Sequence, residues 1–153
     1  MPKYFQGFFK CQNPSKYLGD TRDIVYRSGL EFQYMMKLDN DPSVVTWESE
    51  TFAIPYHDPI SNRIRRYFPD FRVTKRNKEG IKKTYVVEVK PDCQTKPPKR
   101  GKKTKKSDRR YLTESITYGK NSAKWEAARQ YCEINRFEFI ILTEKQLKVN
   151  KWQ

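Results

Sequence analysis

Residues 81–90 (IKKTYVVEVK) constrain the fold more than any other stretch of this chain. Their second half is crowded with β-branched and aromatic residues, the composition of a strand inside a sheet. Side chains alternate along a strand, so Tyr85, Val87 and Val89 take one face while Val86, Glu88 and Lys90 take the other. A strand this apolar has to be covered on both faces. There a carboxylate beside an ammonium is costly unless the two pair or hold an ion.

The flanking segments build outward from that strand. Ser28 is placed to cap a helix over 28–38, where Leu30, Tyr34, Met35 and Leu38 recur at helical spacing and Asn40, Asp41 and Pro42 stop it. Strands are expected at 45–54 and 64–74, the second disturbed at Pro69, with a turn at Asn77–Gly80. Asn121 or Ser122 can cap a helix over 122–134, with Trp125, Ala128, Arg129 and Cys132 on one side, and a last strand follows at 137–143. The order is αβββαβ. It predicts an α/β fold bordering on α+β, a mixed β-sheet flanked by helices, with the final strand joining after a helical crossover. Residues 1–27 read as an N-terminal arm or packed flap, 28–144 as one domain and 145–153 as a tail.

Charge then narrows the partner. The 153 residues carry 32 Lys+Arg against 18 Asp+Glu, a formal +14. Residues 96–110 alone hold nine Lys/Arg and one Asp, so more than half of the excess sits in one tract. With Pro91, Pro97, Pro98 and Gly101 in it, the segment 91–117 reads as a long loop insertion. Its cations Lys96, Lys99, Arg100, Lys102, Lys103, Lys105, Lys106, Arg109 and Arg110 suit a phosphate backbone, whose condensed counterions they would release. No apolar run is long enough for a membrane span, and the start lacks a signal peptide, so the expected site of action is a cytoplasm. Cys11, Cys93 and Cys132 form no CxxC pair, and His57, the single imidazole, sits between prolines in an expected surface loop. Zinc and serine or cysteine nucleophile chemistry are poor fits.

The acids say more. Strand parity puts Asp70 on the face opposite Phe71 and Val73, and a hairpin register that sets Asp70 beside Glu88 is available. Glu31 falls near the middle of the apolar side of the first helix, where an acid needs a partner; alternatively it is a first-turn Glu favoured by the helix N-terminus. Carboxylates gathered on one face require a proton or a cation to reconcile them. All-oxygen ligands suit Mg²⁺ or Mn²⁺, and beside a basic surface that equipment fits phosphodiester hydrolysis.

This pattern, Pro69-Asp70, seventeen intervening residues, then Glu88-Val89-Lys90, with Glu31 upstream, resembles the PD-(D/E)XK nuclease superfamily. The stretches Tyr26-Arg27-Ser28-Gly29-Leu30-Glu31, Arg66-Tyr67-Phe68-Pro69-Asp70-Phe71, Val87-Glu88-Val89-Lys90-Pro91 and Ala123-Lys124-Trp125-Glu126-Ala127-Ala128 look like the head completion nucleases of T4-like tailed phages. They are more distantly similar to the N-terminal catalytic domain of the Tn7-type transposase endonuclease subunit. The resemblance implies a restriction-endonuclease-like core and a Mg²⁺-dependent DNA endo- or exonuclease, with Mn²⁺ as a substitute, acting on double-stranded DNA during phage assembly in the host cytoplasm. Head, portal or neck proteins are the implied partners. Asp70, Glu88 and the Val89 carbonyl would hold the metal, Lys90 would act on the attacking water, and Glu31 would complete the acidic cluster. The rival reading is a non-catalytic, DNA-binding head-tail assembly protein that keeps the fold. Lys124 and Glu126 read as an ordinary solvent-facing pair.

Overall fold

The computed structural model describes residues 6–149. In chain order these form β1 (Gly7–Phe8), a 3₁₀ turn (Pro14–Lys16), β2 (Val25–Tyr26), α1 (Gly29–Asn40), β3 (Val44–Ser49), β4 (Ile54–Asp58), β5 (Arg63–Tyr67), β6 (Phe71–Arg76), β7 (Lys82–Val89), a second 3₁₀ turn (Asp92–Thr95), α2 (Lys105–Asn135), β8 (Glu138–Leu142) and α3 (Glu144–Val149). The central sheet runs β3-β6-β7-β8. Its first three strands are antiparallel, and β8 joins β7 in parallel after the α2 crossover. The expected αβββαβ core is present, with the β4–β5 hairpin folded out between its first two strands.

The register explains the layering. Phe71 lies opposite Val87, and Val87 beside Ile140, so one face of the sheet is continuously apolar. Trp47, Phe71, Val73, Val87 and Val89 on that face pack with Met35 and Leu38 of α1 and Leu147 of α3. The opposite face meets α2 through Trp125 and Ala128, together with Ile54, Tyr56 and Tyr67 of the hairpin and the half-buried Phe139 and Ile141. Strand parity therefore sends Glu88 toward α2, away from the main apolar layer. Ser28 caps α1 by accepting the Glu31 N–H at 3.1 Å.

Several expectations change. The strand over 45–54 is two strands, because Glu50 takes a left-handed conformation (φ 53°) that ends β3. The strand over 64–74 is likewise split: Pro69 has no N–H to donate, and the break around it releases β5 into its own hairpin. His57 is exposed, as expected, but on strand β4 rather than in a loop.

The largest correction concerns 91–117, expected as a loop, and the helix expected over 122–134. One helix of 31 residues covers 105–135. Thr104, not Asn121 or Ser122, is its N-cap, accepting from the Ser107 N–H at 3.1 Å. Lys and Arg are good helix formers, and once the Trp125 half is anchored on the sheet, elongation costs little per residue. Arg110 and Glu114 also pair one turn apart at 2.8 Å. Pro91, Pro97, Pro98 and Gly101, which argued for the loop, all precede the N-cap, and the like charges of the first turns stay in water, where their repulsion is weak.

Residues 7–26 are not a free arm. Phe9, Tyr17 and Ile24 are buried in the main core, and the buried Asp39 carboxylate accepts the Gln12 and Asn13 N–H groups. Tyr4 and Phe5, also expected in that arm, lie outside the described residues. The start of the expected tail is helical, with Leu147 buried. Among the described residues no helix is long and apolar enough to cross a membrane.

Candidate active site

The site forms where β6 begins and β7 ends. The last rung of the β6–β7 ladder pairs Phe71 with Val87, and continuing it one step sets Asp70 across from Glu88. Asp70 does not continue the ladder with its own backbone. Its carbonyl accepts the Glu50 N–H at 3.1 Å, and its Oδ2 accepts the Val89 N–H at 2.8 Å. The side chain thus bridges to the neighbouring strand just past Glu88. Pro69, buried beside it, is what frees the backbone for this.

Glu88 is 5% exposed. The Tyr67 hydroxyl donates to its Oε2, and Trp125 of α2 supplies a second hydrogen bond. Burial raises the carboxyl pKa from the usual range to about 7, against the opposing pull of Lys90 and Lys124. Burial likewise raises Asp70 to about 7, and the Glu31 charge adds to the shift. Asp70 nevertheless keeps partial solvent access, so a water or an ion can reach it.

Glu31 sits in the first turn of α1, half-buried, with Oε2 accepting the Arg27 N–H at 3.0 Å. It combines both sequence readings: it secures the helix start and also acts electrostatically on Asp70 and Glu88. Its own pKa is raised, first by burial and then by Glu50. Arg27 pairs with Glu50 at 3.0 Å and keeps that neighbouring acid compensated. Lys90 follows the end of β7, where its N–H donates to the Leu142 carbonyl at 2.9 Å, and its charge is felt by Glu31, Asp70 and Glu88. All four sequence-predicted residues therefore reach one end of the sheet.

Two further residues belong to the same place. Tyr67 holds Glu88 in its rotamer, and Lys124 lies 5.8 Å from the centroid of the Tyr67 ring and 5.7 Å from that of Tyr56. Desolvation lowers the Lys124 pKa, opposed by the attraction of Glu88. Lys124 is thus not the solvent-facing residue expected, whereas Glu126 is exposed. The signal in the sequence was its neighbour Trp125, buried on the same turn. No spacing rule joined Tyr67 to Glu88, because the Pro69 break folds the hairpin back over the sheet.

The nine cations of the tract are all exposed. Lys96, Lys99, Arg100, Lys102 and Lys103 precede α2, while Lys105, Lys106, Arg109 and Arg110 lie in its first turns. Lys96 pairs with Asp92 at 3.3 Å and Arg110 with Glu114, so these two are partly compensated.

The segment that builds this sheet matches a known family: the TnsA-like endonuclease N-terminal family matches residues 41–144. The chain belongs to the TnsA-like endonuclease family. It is also 35% identical over 145 residues, 94% of each chain, to the head completion nuclease of Enterobacteria phage T4. The endonuclease match spans Asp70, Glu88, Lys90 and Lys124 and begins after Glu31.

Among the described residues no three His, Cys, Asp or Glu side chains converge to hold an ion between them. The arrangement instead offers two carboxylates. Asp70 accepts from one protein donor and Glu88 from two, and both are pushed toward neutrality by desolvation that a bound cation would offset. Such a donor set fits Mg²⁺, which binds through one or two carboxylates and keeps several waters, better than it fits an ion needing a full protein cage.

Proposed function

We propose that this endonuclease-family chain is a Mg²⁺-dependent DNA nuclease, with Mn²⁺ as a substitute, that acts on double-stranded DNA during head completion of a tailed phage in the infected host's cytoplasm. The observation that carries the reading is the pair of buried acids, Asp70 and Glu88, at the same sheet end as Lys90. The similarity to the T4 head completion nuclease supports the setting, and phage head, portal or neck proteins are the partners it suggests.

Asp70, Glu88 and the Val89 carbonyl would hold the ion. Bound there, it would polarise the scissile phosphate and acidify a water. The remaining work belongs to the chain. Tyr67 and Trp125 fix Glu88, and the Val89 N–H fixes Asp70, so both carboxylates are oriented before substrate arrives. Lys90 orients the attacking water and steadies charge developing on the phosphate. Glu31 adds negative potential that favours cation uptake.

The test is incubation of the purified protein with supercoiled and linear duplex in Mg²⁺, with EDTA and Asp70→Asn controls, read on a gel. Cutting that both controls abolish is expected. Intact DNA in every lane, with a retained gel shift, would favour the non-catalytic assembly protein.

A further inference from the structure

The β4–β5 hairpin carries a second basic surface that the tract at 96–110 overshadows in the sequence. Asp58, at the end of β4, is fully buried. Its Oδ1 accepts the Ile60 N–H at 2.8 Å, and its carbonyl accepts the Asn62 N–H at 2.9 Å, which closes the turn. Its other oxygen, Oδ2, lies 3.0 Å from Arg65 Nε and 3.9 Å from Lys120 Nζ. One buried acid therefore lies within ion-pair distance of two cations, one from the hairpin and one from α2, while the Arg65 Nε–H donates its hydrogen bond to Ser61 Oγ at 3.1 Å.

These residues, with Tyr56, Arg66 and Lys124, line an open groove of about 620 Å³ between hairpin and helix. Four cations face one acid there, an excess of three positive charges. Lys120 and Lys124 stand one helical turn apart, about 6 Å along the axis. Lys124 in turn lies over the Tyr67 ring whose hydroxyl bonds Glu88. One end of the groove is thus lined by a residue that lies over the ring holding Glu88.

We propose that this groove binds the DNA phosphates flanking the one that is cut, with Arg66 and Lys120 as direct contacts and Asp58 as the residue that positions Arg65 and Lys120. The inference rests on the nuclease reading for its substrate. It goes beyond that reading in assigning the cut strand to the hairpin side of the sheet. Lys120, beside the buried Asp58 carboxylate, loses less side-chain freedom when a phosphate arrives than a lysine on an unpaired stem, and Arg66 adds a second charge on the same groove wall. The tract supplies general attraction, whereas the groove supplies register.

The experiment compares two doubly neutralised proteins of equal net charge, Arg66→Gln/Lys120→Gln and Lys102→Gln/Lys103→Gln. Binding of a fluorescent 20-base-pair duplex is followed by anisotropy in EDTA across a salt series. Among the described residues Arg66 forms no ion pair and lies 5.0 Å from the Phe68 ring centroid, and Lys120→Gln leaves Arg65 beside Asp58. The groove variant is expected to lose at least tenfold in affinity near 0.15 M salt, with a salt slope shallower by about 2. The tract variant should lose less. Arg66→Lys/Lys120→Arg, which keeps the charges, should restore the slope. Equal losses in the two Gln variants, or failure of the charge-keeping variant to restore binding, would overturn the groove. Mg²⁺-dependent cutting is scored separately. Wild-type protein that binds with the predicted slopes but never cuts would remove the nuclease reading and leave the phosphate groove. Protein that cuts normally with unaltered slopes in both Gln variants would remove the groove alone.

Discussion

The acid cluster at the end of the central sheet and the basic tract at 96–110 are both dense in charge, but opposite constraints shape them. Glu88 is buried on a strand whose alternation is dictated by Val86, Val87 and Val89, so its direction follows from the need to cover the sheet. The tract is exposed throughout, and no burial fixes where its side chains point. Charge forced into a covered position acquires a defined geometry and a shifted pKa. Charge left in water keeps its freedom and acts through its sum. Chemistry is therefore expected from the first region and affinity from the second.

The sharpest way to break that division is at Lys90. Lys90→Ala should lower cleavage by about 10³-fold, on the scale of removing a group that stabilises transition-state charge, while duplex affinity stays within about twofold. Equal loss of binding and cutting would make Lys90 an anchor and erase the distinction. The complementary change, glutamine at all nine tract cations, should weaken binding about 10- to 100-fold near 0.15 M salt and flatten the salt slope. The cleavage rate at saturating DNA should hold. A tract that controls that rate would have to reach the acids, contrary to its exposed position at the start of α2.

Why one region was legible and the other was not comes down to the same contrast. Parity along 81–90 correctly separated Glu88 from Val87 and Val89, and the Ser28 cap followed from a short local rule. Pro69 was read as a disturbance, but its consequence, a hairpin folded out to bring Tyr67 onto Glu88, depends on contacts between residues 21 positions apart. The loop expected at 91–117 holds as far as Thr104 and fails from Lys105 on, because helix propagation from the anchored Trp125 region outweighs surface repulsion. Lys124 was misjudged for a related reason: its i,i+2 spacing to Glu126 says nothing about the hairpin packed over that face of α2.

Proton linkage sharpens the account of the acids. Asp70 and Glu88 have folded pKa values near 7, above their ordinary range, so without a cation the folded state retains protons that the unfolded chain releases. Their contribution to stability is fully present below about pH 4 and is lost as pH rises through about 7. If the proposed Mg²⁺ binds the ionised pair, the melting-temperature gain from Mg²⁺ should grow between pH 6 and pH 8, by several degrees at millimolar ion. A gain that is the same at pH 5.5 and pH 8 would place the ion elsewhere. Smaller still, Thr104→Ala should cost about 1 kcal/mol and fray the first turns of α2, visible as lost helical circular dichroism, with cleavage unchanged.

The most direct test uses the isosteric change Glu88→Gln, which keeps the size of the side chain and a hydrogen-bonding partner for Tyr67 but removes a ligand charge. Protein and duplex are mixed in EDTA at concentrations where all the DNA is bound, and excess Mg²⁺ starts a single turnover. If the acid pair is the catalytic centre, the wild type cuts and Glu88→Gln, bound equally well, leaves the duplex intact. Cutting by Glu88→Gln at the wild-type rate would show that the chemistry lies somewhere other than the end of this sheet.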